Sequence, residues 1–263
     1  TLMKLYRSWA IVVRQLYLFP RSMDRITDTF FWPIMDVVLY GLMTAWIAGA
    51  QTNGGNILLS VLTSLLYWRI AWAASYEVSA NMLEECWNRN LTNICSSPLT
   101  RLEWLCGNLI VGIIKLIALI SIQALAVWVL YSLNIFSVGW MTIPFMASLT
   151  VSGWCMGAVA AALILRLGIR AQALSWTLGF LLAPVCAAYF PLSLLPSIVQ
   201  PVSLAFPMTY IMEGLRAQIL TGSSALTMLL TSAALNVLYL IASFWFFNSC
   251  FEKTRMKGFD HLE

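Results

Sequence analysis

The sequence predicts an all-α polytopic membrane protein with six transmembrane helices, and three observations carry that expectation. The 263 residues are 60% hydrophobic and only 10% charged, whereas an ordinary soluble domain is roughly one-quarter charged. Mean hydropathy is +0.81. The apolar runs are continuous and about twenty or more residues long, the length a helix needs to cross a hydrocarbon core of ~30 Å. Lipid offers backbone groups no partner, so only helices and closed barrels span it. Barrel strands alternate apolar and polar residues over about ten positions; these runs do not, so helices are expected.

The elements follow in chain order. Residues 2–19 place Lys4, Arg7, Ser8, Arg14 and Gln15 on one helical face and Leu2, Leu5, Tyr6, Trp9, Val13 and Leu16 on the other. A basic amphipathic helix of this kind lies in the membrane interface, and Pro20 ends it. The basic start runs into this segment and not into a short apolar h-region, so no cleavable signal peptide is expected. Six apolar segments come next, at 28–48, 57–76, 104–132, 139–165, 172–190 and 225–249. The third and fourth are long enough to tilt or to extend beyond the bilayer. With no internal repeat or low-complexity stretch, residues 1–263 read as a single transmembrane domain.

Orientation comes from the basic residues. Lys4, Arg7, Arg14, Arg21, Arg25, Arg89, Arg101, Arg166, Arg170, Lys253, Arg255 and Lys257 fall on one side, and Arg216 alone on the other. The positive-inside bias puts both termini in the cytoplasm of a cell's inner (plasma) membrane.

Between the second and third spans lies a polar region, 77–100. From about Glu77 to Ile94, the residues Val78, Met82, Leu83, Trp87, Leu91 and Ile94 mark one helical side, and Glu84, Glu85, Asn88 and Arg89 the other. Glu85 and Arg89 stand at i,i+4 and can pair. Pro98 stops the helix. Thr100 and Glu103 then match a capping box at the start of span three. A short helix across the membrane face, a sharp break and a span suit force transmission from a cytoplasmic partner, and equally suit an ordinary connector.

The outer segment 190–224 is apolar yet interrupted by Pro191, Pro196, Pro201 and Pro207. It cannot be one spanning helix. Short helices that dip into the outer leaflet and return are expected, tolerated where protein or a cavity covers the backbone. Glu213 and Arg216 share a helical face and can pair.

Asp36, Arg69 and Lys115 lie inside spans. A charge at mid-bilayer costs at least ~2.5 kcal/mol, so pairing, snorkelling or a substrate route is expected of each. Asp36 and Arg69, on adjacent spans, can pair, and Glu77 reads as interfacial. Among the twelve tryptophans, Trp32, Trp46, Trp68, Trp72, Trp104 and Trp140 lie near span ends and read as interfacial anchors; Trp154 and Trp176 fit that role less easily. Gly153 and Gly157 form a GxxxG close-packing signal in span four. The six cysteines form no CxxC pair and His261 is the lone histidine, so no metal site is expected.

The order and spacing of these features resemble the membrane permease subunits of ABC type-2 transporters. The matching features are the interfacial N-terminal helix and ECWNRNLTNICSSPLTRLEWLCG, similar to the family's charged coupling helix with its Ser-Pro and following Gly. The others are FPLSLLP…FPMTYIMEGLR, similar to a Pro-rich re-entrant hairpin (Pro191, Pro196, Pro207, Tyr210, Glu213, Arg216), and six spans with both ends inside. The resemblance implies an exporter of two permease subunits, as a homodimer, and two ATPase subunits. In it Glu84, Glu85, Trp87, Arg89, Asn90, Ser97 and Pro98 would form the ATPase contact, and membrane lipids would surround the chain. The sequence contains no GxxxxGK[ST] motif, so ATP and Mg would be bound by the partner ATPase, with no cofactor in this chain and no enzymatic activity of its own. No nucleic acid is expected. Candidate cargoes are a lipid-linked polysaccharide, a lipid or a hydrophobic drug. The competing classes are a channel or assembly protein without ATP coupling, and an intramembrane enzyme. For the enzyme, Asp36 with Lys115 is the one pair to name, and no nucleophile motif accompanies it.

Overall fold

A computed structural model describes residues 5–48, 54–88, 90, 97–223 and 225–257. It is all-helical, with no strand among the described residues. The helices are α1 (Leu5–Leu18), α2 (Met23–Ile26), α3 (Trp32–Ala48), α4 (Gly54–Trp87), α5 (Arg101–Tyr131), α6 (Thr142–Leu167), α7 (Leu174–Val185), α8 (Gln200–Leu204), α9 (Pro207–Thr221) and α10 (Leu226–Lys257). A wide π-helical turn, Thr27–Phe31, leads into α3. Among the described residues, five segments are long and apolar enough to cross a membrane: Thr27–Ile47, Leu58–Trp87, Leu102–Tyr131, Gly139–Leu167 and Leu226–Thr254.

The segment 172–190, expected as a full span, contains only the 12-residue α7, with Pro184 inside its last turn. That is about 18 Å of helix at 1.5 Å per residue, short of the ~30 Å core. A second departure concerns 77–94. The expected separate helix is, through Trp87, the unbroken continuation of α4; residues 89 and 91–96 lie outside the described residues. No proline or glycine interrupts α4 after Gly55, so nothing local turns the chain at Glu77.

α4 is the central helix. Of its spanning window 78% is buried, against 22% for Thr27–Ile47 and 17% for α10, so the latter two present their apolar sides outward. α6 packs on α4 in parallel, because Gly153 sits on Ala71 and Ala74, and Gly157 on Ser75 and Val78. α6 and α10 also run parallel. Ser148 meets Ser232 and Ser152 meets Asn236 at a constant offset of 84 residues, and Thr254 donates to the carbonyl of Leu165. Two parallel helices require the intervening chain, α7 to α9, to return along their full length.

α1 presents Ser8, Ile11, Val12 and Gln15 to the body of the protein and leaves Leu5, Tyr6, Trp9, Leu16 and Tyr17 exposed. Ile11 and the carbonyl of Ser8 close onto Gly107 of α5. A bulky apolar side left exposed in this way is compatible with an interfacial helix.

Candidate functional site

Two regions concentrate functional side chains: the charged end of α4 and a groove along the same helix.

At the charged end, both acids expected to meet a partner are engaged within the chain. Arg25 donates to Glu84 through Nε at 2.8 Å and also through Nη2. Arg14 holds Glu85 at 2.9 Å, and Asn90 donates to the same carboxylate at 2.7 Å. Glu85 is buried. These partners stand 59 and 71 residues away in sequence, beyond any periodicity argument, which offered only Arg89. Arg89 lies outside the described residues. Trp87, Ser97 and Pro98 are exposed. Ser97 accepts from the amide of Leu99 at 3.3 Å, and the Pro98 carbonyl accepts from Arg7. The start of α5 is a capping box: Glu103 N donates to Thr100 Oγ1 at 3.2 Å and Thr100 N to Glu103 Oε2 at 2.8 Å. Glu103 also faces Arg7 at 3.6 Å. Arg14 and Arg7 of α1 and Arg25 of α2 thus hold the described ends of this region, at Glu84, Glu85, Pro98 and Glu103.

The charges within spans are paired. Asp36 meets Arg69 at 3.5 Å. Lys115 donates to both oxygens of Glu77 at 2.7 Å, and Asn81 adds a third donor at 3.1 Å. Glu77, expected only as an interfacial acid, is therefore the counter-ion of Lys115, and Lys115 does not meet Asp36.

In the Pro-rich segment, Pro191 precedes a single turn at Leu192–Leu194, the Pro196 carbonyl accepts from Val199 and Gln200, and Pro207 starts α9. Tyr210 is half-buried on α9. Arg216 is buried and pairs with Glu213 at 2.7 Å. It also donates to the carbonyls of Ala187 and Ala188, and Glu213 accepts from the amide of Leu192 at 2.9 Å. Ala187 has φ +51°, a left-handed conformation that a non-glycine residue adopts at a cost. The Glu213–Arg216 pair holds that bend in place. Burial lowers the Arg216 pKa from its ordinary value, and Glu213 opposes the shift.

The groove has a volume of about 680 Å³, within the range of small-molecule sites. Its α4 wall is a stripe at Leu65, Trp68, Arg69, Trp72, Tyr76, Ala80, Leu83, Glu84 and Trp87, spaced three and four apart as one helical face requires. The stripe is about 33 Å long at 1.5 Å per residue, close to the ~30 Å hydrocarbon thickness. α3 and the turn before it supply Asp28, Trp32, Asp36 and Tyr40, and the α7 region supplies Trp176, Phe180 and Tyr189. Trp72 is fixed in place: its ring stacks on Tyr76 at 5.4 Å, and its indole N–H meets the Trp176 carbonyl at 3.4 Å.

The tryptophans therefore divide. Trp46 and Trp140 are exposed near helix ends, as anchors would be, but Trp68 and Trp104 are buried within the protein. Trp32, Trp68, Trp72 and Trp176 line the groove. The α4 spacing was a signal for this stripe, since 65, 68, 72, 76, 80, 83 and 87 recur at helical period. Among the described residues no group of three or more His, Cys, Asp or Glu is gathered for a metal.

No known protein-family model matches the chain, and no curated protein matches it.

Proposed function

We propose that this chain is the membrane permease subunit of an ATP-driven ABC exporter, powered by a separate ATPase. One observation carries the reading: α4 is a single rigid helix whose one end lies in the clamped polar segment and whose face lines the groove for about 33 Å. A push on the segment 84–98 is delivered without a hinge into the groove wall, and through the Thr100 cap into α5. In this reading the polar segment faces the cytoplasm, with both termini, in an inner (plasma) membrane. α7 and the chain to Phe190 make the sixth crossing that parallel α6 and α10 require, and 190–224 forms the outer re-entrant hairpin.

The internal pairs of Glu84 and Glu85 change the division of labour. In this reading those two acids hold α1 and α2 onto the drive segment, while Trp87, Arg89, Asn90, Ser97 and Pro98 make the contact with two ATPase subunits. Two permease copies face each other, and ATP and Mg reside on the ATPase.

The test is co-purification with an ATPase and measurement of hydrolysis that depends on this chain. W87A together with R89E should uncouple hydrolysis from the chain while leaving membrane insertion intact. Hydrolysis that is indifferent to the chain, or coupling that survives both changes, overturns the proposal.

A further inference from the structure

The groove is both acidic and aromatic, and its arginines are already matched. Arg25 donates to Glu84 through two nitrogens and to Gln15 through a third. Arg69 Nη1 meets Asp36 at 3.5 Å, and Asp28 also acts on this guanidinium electrostatically. Three lining carboxylates, Asp28, Asp36 and Glu84, thus stand against two guanidiniums, a formal net charge of −1. In the adjoining cavity Glu77 and Lys115 cancel. The Tyr76 hydroxyl hydrogen-bonds Asp28, which orients the carboxylate without cancelling its charge.

The acids alternate with rings. Asp28, Trp32, Asp36 and Tyr40 all line the groove, four residues apart along α3 and the π-helical turn before it. Trp176 and Phe180, also four apart, line it from α7, and Trp87 lies near Glu84 on α4. These five rings are between 39% and 67% exposed. Ring surface is therefore available on them, whereas Trp72 already carries Arg69 at 4.1 Å and stacks on Tyr76. An aromatic face is negative and attracts a cation, more strongly where water is excluded. A carboxylate beside it adds Coulomb attraction and repels an anion. The volume of about 680 Å³ is that of a small-molecule site and far exceeds what a bare ion fills. The lining thus selects for positive charge and apolar bulk in one molecule.

We propose that the groove binds an amphiphilic organic monocation, its charged centre beside Asp28, Trp32 and Asp36 and its apolar body against Trp176 and Phe180. As the cargo site, it rests on the exporter reading; as a binding site, it does not.

The experiment uses the purified full chain in neutral detergent, without ATP or ATPase. Saturable binding of radiolabelled tetraphenylphosphonium is measured by scintillation proximity, with the signal of micelles lacking protein subtracted. Tetraphenylborate has the same shape and the opposite charge, triphenylphosphine oxide is neutral, and tetramethylammonium lacks the apolar body. Each should compete about tenfold or more weakly than unlabelled tetraphenylphosphonium. D28N should bind tetraphenylphosphonium about tenfold more weakly and tetraphenylborate more tightly, opposite changes that a general loss of structure would not produce. Absence of saturable binding overturns the site, and so does tetraphenylborate or the neutral oxide competing as well as the cation. A folded D28N chain with the parent's preference also overturns it. The competition needs only the parent chain, so it decides the matter even if the variant fails to fold. Loss of the cation preference with chain-dependent ATP hydrolysis intact would remove the site and keep the exporter reading. Selective binding with hydrolysis indifferent to the chain would keep the site and remove the exporter reading.

Discussion

Replacing Gly153 and Gly157 with alanine should separate the two most extensively packed helices. A Cβ on Gly157 would stand 2.5 Å from the carbonyl oxygen of Ser75 and 2.9 Å from Val78 Cβ. One on Gly153 would stand 2.7 Å from Ala74 Cβ and closer still to the Ala71 carbonyl. Contacts this short fall about 1 Å inside ordinary van der Waals separation. The obstacles are backbone, so no flexible side chain can swing away, and α4 and α6 must move apart. Overpacking of this kind costs about 1–3 kcal/mol per site, and rigid backbone obstacles belong in the upper half of that range. Alanine recovers about 1 kcal/mol of helix propensity relative to glycine. The net loss is then roughly 1–2 kcal/mol per site, or about 2–4 kcal/mol for the double variant. At roughly 2–4 °C per kcal/mol for a chain of this size, Tm should fall by about 4–16 °C. Fluorescence-detected size-exclusion thermal melts of the detergent-solubilised protein read this directly. Gly112→Ala is the control, because its nearest neighbour, Glu77 Cγ, would lie 3.4 Å from the new methyl; it should be neutral or slightly stabilising. If G153A/G157A melts at or above the parent temperature, the close α4–α6 packing is wrong.

Three further outcomes follow from the polar contacts. K115M or E77Q alone leaves a buried partner uncompensated and should cost about 3 kcal/mol, while the double variant recovers most of it; a thermal double-mutant cycle without coupling would count against the pair. R216K cannot reproduce the simultaneous donation to Ala187, Ala188 and Glu213, so hydrogen exchange should rise across 187–195 with α6 and α10 unchanged; uniform protection in that segment would refute the staple. N236L removes the bridge from α10 to Ser148 and Ser152 and should cost about 1–2 kcal/mol, since interhelical hydrogen bonds in membranes contribute roughly 0.6 kcal/mol each, as read from the same melts.

Much of the fold was legible because it rests on local pattern. The long apolar segments, the amphipathic N-terminal helix and the Thr100–Glu103 cap depend on residues within one helical turn or on composition. The unbroken run of α4 past Glu77 was also readable, since no glycine or proline follows Gly55 there, yet the polarity change at Glu77 masked it. Polarity marks where a helix meets a different environment; it does not bend the backbone.

The site was less legible. Glu84 and Glu85 read as part of a partner-facing polar side, with Arg89 the one internal partner in view for Glu85, because Arg25 and Arg14 lie far away in sequence. Trp68 and Trp104 read as interfacial because their positions near span ends said nothing of neighbouring helices. By itself the sequence determined that this chain is helical, that its long helices suit a membrane, and where caps and prolines interrupt them, because those properties follow from each residue's own chemistry and its neighbours three or four positions on. The tertiary structure alone decided that Glu84, Glu85 and Lys115 pair with Arg25, Arg14 and Glu77, that α4, α6 and α10 lie as they do, and that a stripe of aromatics on α4 faces α3 and α7 across a groove. Long-range pairing depends on which helix faces packing brings together, and a single helical pattern leaves that choice open.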